Sequence, residues 1–125
     1  MPNPKRTHRS VLAFALSLPG AWEDHPWDEI VAKVGKKVFV FLGSEDNPDG
    51  LGMSVKLVES HDLAVGVPGA AETGYGLGKA GWVSVPFGPK SLPLGVLTDW
   101  VEESYRQVAP KKLIVELDAH GETVL

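Results

Sequence analysis

The sequence predicts an α+β fold, a two-layer sandwich in which an antiparallel β-sheet carries helices packed on one face. Three observations lead there. Apolar residues recur at every second position between Ile30 and Leu42, on both sides of a Gly35-Lys36 pair. They recur at three- and four-residue spacing near both ends of the chain, and the period changes at Pro-Gly or glycine-rich breaks. Strands joined by tight turns run antiparallel, and helices before and after them must bury their apolar stripes on the sheet.

Composition sets the bounds. The 125 residues, 43% of them hydrophobic, suit one domain that buries about two-thirds of the surface its unfolded chain exposes. A net charge of −4 and a pI near 5.5 count against indiscriminate attraction to DNA or an anionic membrane, while local basic patches stay open. Without cysteine there is no disulfide, no thiolate metal site and no thiol nucleophile, so a cytoplasmic protein is expected. The longest apolar run, Val11 to Leu16, falls far short of the roughly 20 residues a membrane span needs, and no signal-peptide cleavage pattern accompanies it. A soluble protein with no membrane partner is expected.

Residues 1–7, with two prolines and two cations, read as a flexible N-terminal arm, residues 8–117 as a single domain, and residues 118–125 as a frayed tail. From His8 to Leu18 the stripe Val11, Phe14, Ala15 and Leu18 is helical, and Pro19-Gly20 stops it. The next segment, AWEDHPWDE, is neither helix- nor strand-patterned. It reads as a loop in which Trp22 and Trp27 plug the edge of the core while the acids face water. Glu23, Asp24 and His25 are adjacent and do not converge as spaced metal ligands would.

Ile30, Ala32 and Val34, then Val38, Val40 and Leu42, predict a β-hairpin with a type II′ turn at Gly35-Lys36. Lys33, Lys36 and Lys37 gather at its tip, where charge usually serves solubility. Ser44 to Gly50 reads as a turn, because it lacks the ligand alternation, the sixth-position glycine and the closing glutamate of an EF-hand loop. A strand with Met53, Val55 and Leu57 on one face follows, then a short helix to Val65 capped by Ser60. A further strand is open within Ala70 to Leu77.

The stretch Gly74 to Phe87 joins a glycine-rich loop holding Lys79 to a strand in which Val83, Val85 and Phe87 alternate with Trp82, Ser84 and Pro86. It is not a P-loop. The spacing is one residue short, Ala80 stands where a magnesium-binding hydroxyl belongs, and the loop leads into a strand instead of a helix. Lys79 and Trp82 offer a cation and an aromatic to an anionic or nucleic-acid ligand, although a Trp opening a strand more often packs in the core. From Pro93 on, Leu94, Leu97, Val101, Tyr105 and Val108 with Trp100 form a helical stripe, and Pro110 begins a shorter helix through Leu117.

Four segments in this order, LSLPGAWEDHPW, AKVGKKVFVFL, GYGLGKAGWVSVPF and WVEESYRQVAPKKL, resemble the MmcQ/YjbR family of small bacterial proteins over about residues 9–117. The specificity lies in the combination: Leu18-Pro19-Gly20 followed by Glu23-Asp24, Lys79 with Trp82, and Ser104-Tyr105. Gly76, Gly78 and the acidic insertion Glu45 to Asp49 depart from the pattern. The resemblance implies a sheet with flanking helices, similar to CyaY-like and secretion-chaperone-like domains, in a double-wing arrangement suggestive of DNA binding. It puts the Gly35-Lys36-Lys37 hairpin at one wing and Lys79 with Trp82 at the other.

The expected function is a non-enzymatic DNA-binding module using Lys33, Lys36, Lys37, Lys79 and Trp82. The alternative is a small-anion or protein-binding domain whose cleft is lined by Glu23, Asp24, Trp27, Lys79 and Trp82. An enzyme is disfavoured: there is no nucleophile elbow, and His8, His25, His61 and His120 lack metal-ligand spacing. No cofactor or metal is expected, and a monomer and a homodimer are both compatible with the sequence.

Overall fold

A helix opens the fold, because Asn3 caps it. In the computed structural model, which describes residues 3–44, 51–73, 80–88 and 92–123, the Asn3 side chain accepts the amides of Lys5 and Arg6 at 3.0 and 3.4 Å, and α1 runs Pro4–Ser17. Residues 4–7 are therefore helical and not part of a loose arm. The apolar stripe starts only at Val11, so the first two turns carry no periodic signal.

Strand β1 (Ala21–Asp24), a 3₁₀ turn (Pro26–Asp28), β2 (Ile30–Val34), β3 (Lys37–Gly43) and β4 (Leu51–Lys56) follow. Then come α2 (His61–Val65), β5 (Ala71–Glu72), β6 (Trp82–Phe87), α3 (Leu94–Val108) and α4 (Lys111–Thr123). The six strands form one antiparallel sheet in the order β1-β2-β3-β4-β6-β5. The hairpin forms as its turn chemistry predicts: Gly35 has φ +61° and Lys36 is not left-handed, the sign pattern of a type II′ turn. Pro86 is tolerated in β6 because β5 pairs only with Val83 and Ser84, leaving no donor demanded at Pro86 on that side.

Helices α1 and α3 pack on one face of the sheet. Val11, Ala15, Leu97, Val101 and Tyr105 meet Val34, Val40, Val55 and Val83 in a single core, each at most 1% exposed. Each of these valines and Leu97 contributes about 1.5–3 kcal/mol of burial. Strict alternation fails in β3. The β2–β3 register skips Phe39 and Leu42, two bulges that let Phe39, Val40 and Leu42 all turn inward.

The β3–β4 ladder stops at Val40↔Val55, and α3 completes it with side chains. The Ser104 hydroxyl donates to the Phe39 carbonyl and accepts the Lys56 amide at 2.8 Å, standing between the two strands where they part. Next to it, Tyr105 packs edge-on against Phe39 and donates its hydroxyl to Pro19 O at 2.6 Å. Burial raises its pKa above 10.0, with Glu116 adding to the rise. Glu103 accepts the amides of Val58 and Ser60 at 2.9 and 3.2 Å and the Ser60 hydroxyl at 2.7 Å. Ser60 therefore spends its hydroxyl on α3 and does not cap α2 with it.

Gly20 closes the α1–β1 turn at φ +71°, where a Cβ would stand 2.8 Å from a Leu113 methyl. Helix α4 extends beyond Leu117, and Asp118 is held by Arg106 at 2.7 Å, so the tail is helical through Thr123 instead of frayed. Among the described residues no helix is long and apolar enough to cross a membrane.

Candidate binding surface

The segment read as a core-plugging loop is an edge strand and a tight turn. Among the described residues no strand lies beyond β1 in the sheet order, so alternate backbone N–H and C=O groups of Ala21–Asp24 face outward. Trp22 is 44% exposed, its indole N–H bonded to Gly35 O at 3.0 Å. Trp27 is 96% exposed. Both indoles leave the core, which α1 and α3 already fill. Trp27 and Asp28 also hold left-handed backbone, φ +56° and +64°, which strains a bulky side chain by about 1–2 kcal/mol.

Around these rings the polar groups are ordered. The Lys33 ammonium sits 2.7 Å from Asp24 and 5.3 Å from the centre of the Trp22 ring. Its hydrogen bond, with the His25 amide at 2.9 Å, holds the Asp24 carboxyl below its ordinary 3.8. His25 and Glu23 pair at 2.5 Å, while Asp28 and Glu29 are exposed. Among the described residues no group of three His, Asp or Glu side chains is placed to hold a metal ion.

The sequence candidates scatter over the sheet. Trp82 is 7% exposed and stacks edge-on with Phe41, ring centres 5.2 Å apart, so it presents no free face to a base. It opens β6, four strand spacings or about 19 Å from β1, and the cleft joining it to Glu23, Asp24 and Trp27 does not form. Lys33 is neutralised by Asp24. Lys36 and Lys37 are exposed and have no ion pair among the described residues. Antiparallel pairing brings the start of β3, the end of β4 and the start of β6 to one end of the sheet. Lys36, Lys37, Lys56 and Ala80 therefore share that end. Lys79, the rest of the Gly74–Lys79 loop and the acidic stretch Glu45–Gly50 lie outside the described residues.

Trp22 reads from the sequence only as core, and of the basic residues of α1, Lys5 and Arg6 fall within the supposed arm, whereas Arg9 lies in the expected helix. The signal for them was the Asn3-Pro4 pair, an N-cap followed by a first-turn proline.

The sheet face opposite α1 and α3 also holds a row of hydroxyls, in which Ser84 shares hydrogen bonds with Ser54 at 2.7 Å and Thr73 at 3.0 Å. These hydroxyls satisfy one another and leave little for a ligand.

The YjbR family model matches residues 16–107. Among solved structures, the chain is similar to the Deinococcus radiodurans protein DR2400, a DUF419 domain, with 25% identity and a TM-score of 0.70 over 94% of this chain and 92% of that one. No curated protein matches the sequence.

Proposed function

This chain belongs to the YjbR family, and from that premise we propose that it is a non-enzymatic binding module whose partner is a basic, extended protein segment laid along the open edge of β1. Trp27 carries the reading. An indole 96% exposed on strained backbone does nothing for the core, yet large aromatics of this kind anchor protein interfaces. The open edge supplies main-chain hydrogen bonds for an added strand. Trp22 and Trp27 offer apolar contact, and Glu23, Asp28 and Glu29 favour lysine or arginine on the incoming segment.

The probe is an end-blocked ten-residue peptide of alternating valine and lysine, titrated against the full chain by calorimetry, with an alternating valine and glutamate peptide beside it. The lysine peptide is expected to bind, and Trp27→Ala to weaken it at least about tenfold, or roughly 1.4 kcal/mol. Equal binding of both peptides, or indifference to Trp27→Ala, would contradict the reading.

A second reading, DNA binding, draws on the bare hairpin tip. Lys36 and Lys37 project at the end of the sheet that also holds Lys56 and the start of β6. Fluorescence anisotropy with a duplex at low salt tests it. Affinity should fall with salt and with Lys36→Gln plus Lys37→Gln, each lost phosphate contact flattening the log–log salt slope by about 0.9.

A further inference from the structure

The open edge of β1 is narrower than its four residues suggest. The pair Val34↔Lys37 closes the two-residue loop Gly35-Lys36, and such a loop ends on a pair that exchanges backbone hydrogen bonds. Val34 thus spends its N–H and C=O on β3. Its partner on the other side, Ala21, must then point the same groups away from β2, and so must Glu23 two residues on. The Ala21 amide agrees, since it leaves the ladder and donates to Leu18 O at 3.0 Å. At the far end the His25 amide is taken by the Asp24 carboxylate at 2.9 Å. What stays open, among the described residues, is the Ala21 carbonyl and both backbone groups of Glu23.

The two faces of this edge differ in charge. Ala21 and Glu23 lie across from Val34 and Ala32 of the core, so both belong to the helix-bearing face, while Trp22 and Asp24 share the other with Lys33. There the Lys33 ammonium already pairs with Asp24 and lies over the Trp22 ring, and a second cation would meet it. On the helix-bearing face Glu23 has a second carboxylate oxygen to give beyond the one that pairs with His25.

We infer that the edge reads two consecutive residues of an incoming antiparallel strand: a lysine or arginine opposite Glu23, followed at once by an apolar residue opposite Trp22. The inference rests on the reading of β1 as a strand-binding edge and adds its phase. The basic residue exchanges both backbone hydrogen bonds with Glu23 and sets its cation across from the carboxylate. The apolar residue turns its N–H away from β1 and lays its side chain on the half-exposed Trp22 ring. The residue after it donates to Ala21 O. A second copy of this chain does not suit the edge, because two-fold pairing about Glu23 would set two carboxylates directly opposite each other.

The experiment uses N-methylation, which deletes a backbone donor. Two forms of the end-blocked valine–lysine peptide, one methylated on every lysine amide and one on every valine amide, are titrated against the full chain by calorimetry beside the unmethylated form. Both carry the same number of methyl groups, so a general effect on peptide conformation weakens them alike. The lysine-methylated peptide is expected to lose at least about tenfold in affinity, and the valine-methylated one no more than about threefold. Glu23→Lys should weaken the valine–lysine peptide at least about tenfold and bind the valine–glutamate peptide better than the unsubstituted chain does. Equal losses from the two methylations, a larger loss from methylated valine, or no gain for valine–glutamate on Glu23→Lys would each overturn the phase while leaving strand addition at β1 standing. No binding of the unmethylated peptide would remove strand addition and this inference together.

Discussion

The α3 seam and the β1 corner hold similar residue types under opposite conditions. On the seam, Glu103, Ser104 and Tyr105 each bridge distant parts of the chain: the β4–α2 turn, the gap between β3 and β4, and the Pro19 turn. On the corner, Trp22 reaches only as far as the adjoining hairpin, Glu23 and His25 pair with each other, and Trp27 is almost wholly exposed. A glutamate that accepts three hydrogen bonds from another element explains itself through folding. A tryptophan that is 96% exposed does not. The Ser-Tyr and Leu-Pro-Gly elements of the family resemblance thus mark the frame, and the neighbouring Trp-rich segment marks the surface built on it.

The contrast breaks if seam substitutions prove mild. Ser104→Ala strands the Phe39 carbonyl and the Lys56 amide and should destabilise the chain by about 3 kcal/mol in urea unfolding. Glu103→Ala should cost about 2 kcal/mol, since the β4–α2 turn loses its one charged acceptor among the described residues. Tyr105→Phe should cost about 1–2 kcal/mol through the unpaired Pro19 carbonyl. It should also soften the alkaline limb. A raised folded pKa gives stability that is complete below the ordinary 10.0 and is lost as pH rises through the folded value.

On the corner, Trp27→Ala should change stability by no more than about 0.5 kcal/mol, and a loss above about 2 kcal/mol would move Trp27 into the frame. The smallest effect is in acid. Asp24 and Asp118 are both held below 3.8, chiefly by hydrogen bonds from Lys33 and Arg106. A depressed folded pKa gives stability that is present above 3.8 and lost as pH falls through the folded value, so Lys33→Gln and Arg106→Gln should each slightly flatten the acid limb of a denaturation curve.

The elements legible in the sequence are those with one wet and one dry side. The β2–β3 hairpin outside its bulges, β4, β6 and α3 alternate or stripe for that reason. Strand β1 was not legible, because an edge strand of four residues whose central pair is exposed leaves no period to read. The bulges at Phe39 and Leu42 are invisible for a related reason: the Phe39 carbonyl accepts from Ser104 of α3 and the Leu42 carbonyl from His8 of α1, partners far away in sequence. The proposed binding surface was half legible. Glu23, Asp24 and Trp27 were singled out, but Trp82 was joined to them although it packs on Phe41. Sequence separation gives no hint of which strands intervene.

One measurement bears most directly on the division between frame and surface: two-dimensional ¹H–¹⁵N spectra of the full chain, recorded while the valine–lysine peptide is added. The account predicts shifts confined to the amides of residues 21–29 and the indole N–H signals of Trp22 and Trp27, with Ser104 and Tyr105 unmoved. Shifts centred on Lys36 and Lys37, or none at the two indoles, would contradict it.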